Sequence, residues 1–99
     1  MPRRRRRRRV GKLPEREHFK PVGIPLRELD EVILKVEEYE ALRLKDSEQL
    51  PQKECADHMR ISQPTFHRLL RGAREKISKA IVSGKAIRIE GGNYRLRSK

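Results

Sequence analysis

Gln63, Thr65, His67 and Arg68, followed at helical spacing by Arg71 and Arg74, gather amide, hydroxyl, imidazole and guanidinium groups within a few helical turns. Such a set holds the donors and acceptors needed to read base edges in a DNA major groove. Pro64 lies among them. To face one partner these groups need a helix whose other side is buried, and Phe66, Leu69, Leu70, Ala73 and Ile77 supply that side at the required period. The plainer alternative is a solvated basic face. What argues against it is the preceding sequence.

The stretch QKECADHMRISQPTFHRLLR, residues 52–71, reads as a helix-turn-helix. Ala56 is small where two helices must approach, and Ile61 and Phe66 add apolar contacts five and ten residues later. Ser62 can cap the second helix through its hydroxyl, with Pro64 tolerated in the first turn. Gln63 is the alternative cap, because a residue before proline is pushed away from helical angles. Arg60 falls in the turn, where glycine would supply positive φ more easily. The first helix is expected over residues 50–59, with Cys55, Ala56 and Met59 inward and Pro51 at an early position. The second is expected to continue to about Val82, with Gly84 as its stop.

The rest of the chain is arranged around this unit. Residues 1–10 contain the run Arg3, Arg4, Arg5, Arg6, Arg7, Arg8 and Arg9, which should repel itself and form a disordered tail able to lie along phosphates or enter a minor groove. Residues 11–25, with Pro14, Pro21, Gly23 and Pro25, read as an extended strap anchored by Phe19, Val22 and Ile24. The domain proper is placed at residues 26–99. A short strand is expected over 32–35 and a helix over 36–46, with Glu37, Glu38 and Glu40 favoured near the positive end of the helix dipole. Eight acids against three bases over residues 28–48 suggest an acidic flank, either solvated or offered to a protein partner. KAIRIEGGNYRLRSK reads as a β-hairpin turning at Gly91 and Gly92. That register sets Ile89 opposite Tyr94, Ile87 opposite Leu96, and Arg88 opposite Arg95. Two opposed arginines would suit a backbone phosphate.

The pieces EALRL (residues 40–44), SQPTFHRLL (62–70) and GKAIRIEGG (84–92) resemble the UPF0251 (DUF134) family of small prokaryotic proteins predicted to bind DNA. The resemblance covers nearly everything from Val10 to Leu96. The helical part is also similar to the DNA-binding region 4 of bacterial sigma factors, which implies that Gln63, Pro64, Thr65, His67 and Arg68 sit at the groove. Gly11 and Lys12 stand where many relatives would carry cysteines. A metal role of such cysteines therefore does not carry over.

Composition narrows the classes further. Ninety-nine residues with 34% apolar content permit one small domain and no large catalytic cleft. The net charge is +12, of which the arginine run supplies seven, so a polyanion is the natural partner. No apolar run could span or insert in a membrane. The lone Cys55 fits a reducing cytoplasm. Cys55 with His58 is at best half of a zinc site, and His18 beside Phe19 has no second ligand nearby, so no metal and no cofactor are expected. No nucleophile–base set is recognisable, which points away from an enzyme.

The expected fold is mainly α, a small helix-turn-helix domain with a short strand and a C-terminal hairpin. The expected function is sequence-specific binding of double-stranded DNA in transcriptional regulation, through Gln63, Pro64, Thr65, His67, Arg68, Arg71, Arg74, Arg88 and Arg95. RNA binding is the alternative, although RNA modules stack bases on aromatics and only four aromatic residues exist here. A module docking on RNA polymerase through the acidic flank is a third. A homodimer is compatible with each.

Overall fold

The computed structural model describes residues 7–96. The chain runs through β1 (Arg8–Val10), β2 (His18–Phe19), a 3-10 turn over Leu26–Glu28 and β3 (Glu31–Leu34). There follow α1 (Val36–Leu42), a π-helical turn over Arg43–Ser47, α2 (Gln52–Met59), α3 (Gln63–Ser83), β4 (Ala86–Ile89) and β5 (Tyr94–Leu96).

Each helix starts and stops for a local reason. Lys35 is extended, and its N–H donates to Glu38 Oε1 at 2.9 Å, satisfying a donor just ahead of α1. Pro51 caps α2 without an N–H of its own to satisfy. α2 ends at Arg60, which is left-handed with φ of 56°, a conformation costing on the order of 1 kcal/mol for a residue with a Cβ. The Ser62 hydroxyl accepts from the Thr65 N–H at 3.3 Å, and Pro64 sits in the first turn of α3. Gln63 is already helical, so Ser62 is the cap. Gly84, with φ of 66°, closes α3.

Two apolar clusters hold these elements together. Ala41, Leu44, Cys55, Ala56, Met59, Phe66 and Leu70 join α1, the π turn, α2 and the N-terminal half of α3. Val10, Leu34, Val36, Ala73 and Ile89 pack the strands on α1 and the middle of α3. The inward set expected for α2 and α3 is largely found there, with Leu69 and Ile77 half-buried at the margins.

The C-terminal hairpin does not form. β4 is the central strand of a three-stranded sheet, antiparallel to β2 and parallel to β3. Both its edges are taken, so β5 pairs elsewhere, in parallel with β1. Arg88 therefore aligns with His18 and Ile33, and Arg95 with Arg9. Residues 90–93 instead wrap the start of α1. The Val36 N–H donates to the Gly91 carbonyl, and the Asn93 N–H to Glu37 Oε1. Gly92 has φ of 106°, and a Cβ there would run into the Glu37 carboxylate, so glycine is required by both backbone and space.

Three further expectations change. The disorder expected over residues 1–10 does not extend to Arg8–Val10, which is a strand in which Val10 is fully buried. Residues 1–6, including Arg3 to Arg6, lie outside the described residues. Phe19, Val22 and Ile24 do not anchor the strap: all three are exposed, Val22 at 98%. The acidic flank is only partly a solvated face: Glu28, Asp30, Asp46 and Glu48 are exposed, whereas Glu37, Glu38 and Glu40 are buried. Among the described residues no helix is long and apolar enough to cross a membrane.

Candidate nucleic-acid interface

The N-terminal half of α3 presents Gln63, Pro64, His67 and Arg68 to solvent, with Thr65 half-buried between them and Phe66 and Leu70 buried beneath. Polar contacts order this face. Ser62 Oγ donates to Thr65 Oγ1 at 2.9 Å, and Arg68 Nη2 donates to the same oxygen at 3.3 Å. Gln52 Nε2 reaches the Gln63 carbonyl at 3.4 Å, tying the start of α2 to the start of α3. The groove-facing residues expected from the sequence are thus brought together on one helix, within its first two turns.

The other candidates are not all available. Arg71 pairs with Glu75 at 3.4 Å, but both side chains are about two-thirds exposed or more, so the pair holds Arg71 weakly. Arg74 is engaged by Asp46, with Nε at 3.0 Å and Nη2 at 2.6 Å from the two carboxylate oxygens. Arg88 lies on the three-stranded sheet, 2.9 Å from Glu31 and 3.1 Å from Glu90, with its Nε donating to His18 Nε2. Its charge is already balanced, and it does not face Arg95. Arg8 is buried, 3.7 Å from Glu37 Oε2, and Arg9 is half-buried in β1. Of the arginine run, Arg7 is described and exposed.

Asp46 and Arg74 shift one another through their bidentate hydrogen bond. The Asp46 carboxyl is held below its ordinary value of 3.8 and the Arg74 guanidinium above its own. A depressed carboxyl stabilises the fold above its unfolded pKa, and that contribution is lost as pH falls through the folded value. Asp46→Asn is therefore expected to cost less than about 1 kcal/mol at neutral pH, given the exposure of both partners. The difference from the parent protein should close as pH falls below the ordinary carboxyl value and through the depressed one. Chemical unfolding at a series of pH values checks this; a gap that persists at low pH would mean that Asp46 acts through something other than its charge.

A family model described as "Protein of unknown function DUF134" matches residues 1–97. The chain belongs to the DUF134 family. It is 63% identical over 83 residues to a UPF0251 protein of Thermoanaerobacter sp. (strain X514), covering 84% of this chain and 74% of that one. It is 58% identical over 89 residues to a UPF0251 protein of Halothermothrix orenii, covering 90% and 66%. A UPF0251 protein of Pelotomaculum thermopropionicum is 52% identical over 96 residues, covering 97% and 73%. No solved structure matches.

In this DUF134 chain the sequence reading missed a set of buried carboxylates on α1. Glu40 accepts from Arg43 Nε at 2.7 Å and Nη2 at 2.9 Å, and from the Gly11 N–H at 2.8 Å. Glu38 accepts from Lys76 Nζ at 2.7 Å, tying α1 to α3. Glu37 accepts from Asn93, tying α1 to the segment before β5. Arg43 completes the set, its guanidinium held above its ordinary value by the hydrogen bonds it donates to Glu40. The signal available in sequence was the i,i+3 spacing of Glu40 and Arg43 within EALRL. Cys55, by contrast, is inert: burial pushes its thiol up, and Sγ donates to the Leu50 carbonyl at 3.5 Å. His58, its partner in the half-site, is exposed.

Proposed function

We propose that the protein binds double-stranded DNA in the major groove through the start of α3, as a transcriptional regulator acting in the cytoplasm. In this reading α2 and α3 form a helix-turn-helix of the kind found in sigma factor region 4. The observation that carries it is the exposed cluster of Gln63, Pro64, His67 and Arg68 on a helix whose opposite side is locked into the core by Phe66 and Leu70. A rigid helix that offers amide, imidazole and guanidinium groups in its first two turns fits direct readout. The net charge of +12 supplies the sequence-independent part of affinity, to which the arginine run contributes seven charges. Docking on RNA polymerase would have to use the exposed acids Glu28, Asp30, Asp46 and Glu48, since Glu37, Glu38 and Glu40 are buried.

Selection from a randomised duplex pool at about 0.15 M salt should return a consensus. Arg68→Ala should then relax one or two positions of it and cost about 1–3 kcal/mol on the preferred duplex, the worth of a bidentate base contact. Thr65→Ala should act in the same direction by releasing the Arg68 guanidinium. No enrichment for the parent protein would reject sequence-specific binding; an Arg68→Ala variant with the parent's consensus and affinity would reject this face.

A further inference from the structure

Arg43 stands where two surface depressions meet, and with Glu48 it forms the wall they share. Its guanidinium is divided unequally. Glu40, with a side chain 2% exposed, holds Nε and Nη2 and is fastened to the Gly11 N–H, so that pairing is fixed. A Cβ at position 11 would stand 3.1 Å from Arg43 Nη2, so the strap passes close against the guanidinium here. Glu48 takes Nη1 from the open side, and its side chain is 47% exposed. A carboxylate half in water holds its partner weakly. Nη1 is therefore an anion position with a displaceable resident.

From Arg43 one depression runs past Arg16 and Lys12, the latter 3.7 Å from Glu15 in a solvent-exposed and therefore weak pair, to the rings of Phe19 and Tyr39. Phe19 belongs to neither apolar cluster and is half exposed. Cations and aromatic faces side by side suit a ligand that carries both a ring and a phosphate, since any base can stack and any phosphate can pair. The backbone here also departs from regular form. The wall is a π-helical turn, and Gln49, just beyond it, is left-handed with φ of 59°. Such departures concentrate at functional sites.

We propose that this depression binds a mononucleotide, whose phosphate displaces Glu48 from Arg43 and reaches Lys12 and Arg16 while its base lies against Phe19 and Tyr39. Stacking and charge pairing define the class and leave the base open. The turn that begins at Arg43 and is followed by Glu48 also carries Asp46, the partner of Arg74 on α3, so one turn joins the ligand site to α3.

The test is calorimetric titration of the full chain with ATP and, separately, with inorganic tripolyphosphate, which reports phosphate binding without a base. Glu48→Gln should tighten ATP binding by about fivefold or more, because a competing carboxylate is removed. Phe19→Ala should weaken ATP binding by at least about fivefold and leave tripolyphosphate unchanged, because only the stacking surface is lost. Both residues are exposed, so both variants should keep the parent's unfolding midpoint. In amide NMR spectra of the parent protein, ATP should move the Gly11, Arg43 and Ser47 signals. ATP affinity indifferent to Glu48→Gln, or shifts confined to the arginine run, would place the phosphate elsewhere. An equal loss of ATP and tripolyphosphate on Phe19→Ala, or no loss of either, would overturn the nucleotide class.

Discussion

Glu40→Ala should lower the unfolding free energy by about 3 kcal/mol, the cost of leaving a largely buried guanidinium with only the half-exposed Glu48 as its partner. Glu40 is 1% exposed and accepts three hydrogen bonds, two from Arg43 and one from the Gly11 N–H. In a domain of this size that loss should reduce Tm by roughly 12–20 °C. Glu40→Gln keeps the shape and an acceptor for Gly11 but gives up the charge, so it should fall between the variant and the parent. Replacing Glu40 and Arg43 together by leucine should recover part of the loss, since no unpaired charge then remains. Thermal unfolding of the four proteins, with hydrogen exchange at the Gly11 amide, provides the measurement. Should Glu40→Ala unfold within a few degrees of the parent and leave Gly11 protected, the carboxylate does not clamp the strap.

The second large effect is expected at Phe66. Its ring is wholly buried and touches the cluster that joins α1, the π turn, α2 and α3, so Phe66→Ala removes transfer energy and leaves a cavity at the junction. Such truncations cost about 3–5 kcal/mol. Small domains hold only about 5–15 kcal/mol in total, so the variant should sit near the edge of folding, with α3 no longer seated on α2. Ile81→Ala is the control: Ile81 is on the same helix but 72% exposed, and should cost no more than about 0.5 kcal/mol. Urea midpoints for the two variants decide the matter. Similar midpoints would mean that the N-terminal half of α3 is not held by this cluster.

Much of α2, α3 and their junction was legible because the signals are local. Ser62 precedes Pro64 and an apolar period, Gly84 ends that period, and Arg60 marks the turn; each acts within one or two helical turns of itself. The strand ahead of α1 was legible for the same reason. Partner choice was not. IRIEGGNYRL has the pattern of a hairpin, and only the arrival of β2 and β3 on both edges of β4 prevents one. The acids of α1 read as solvent-facing because burial of a carboxylate depends on donors far away in sequence, Gly11, Lys76 and Asn93. Arg8 was hidden by its neighbours, since seven consecutive arginines give no sign that one of them belongs to a strand. For the candidate interface, the helix face was readable while Arg74 and Arg88 were not, because Asp46 and Glu31 reach them only in the folded chain.

The pairing of β1 with β5 sets an order of events during synthesis. Arg8 lies beside Tyr94 and Val10 beside Leu96, so β1, made before the three helices, finds its partner only when β5 has followed them. Until then Val10 has lost one wall of its cavity, and the arginines ahead of it have no fixed root. β3 waits in the same way for β4, with all three helices translated in between. The helical cluster around Phe66 has no such dependence, because every residue in it lies between Ala41 and Leu70. Translation thus delivers a helical half that can close early and a strand half that closes only once β4 and β5 have been made.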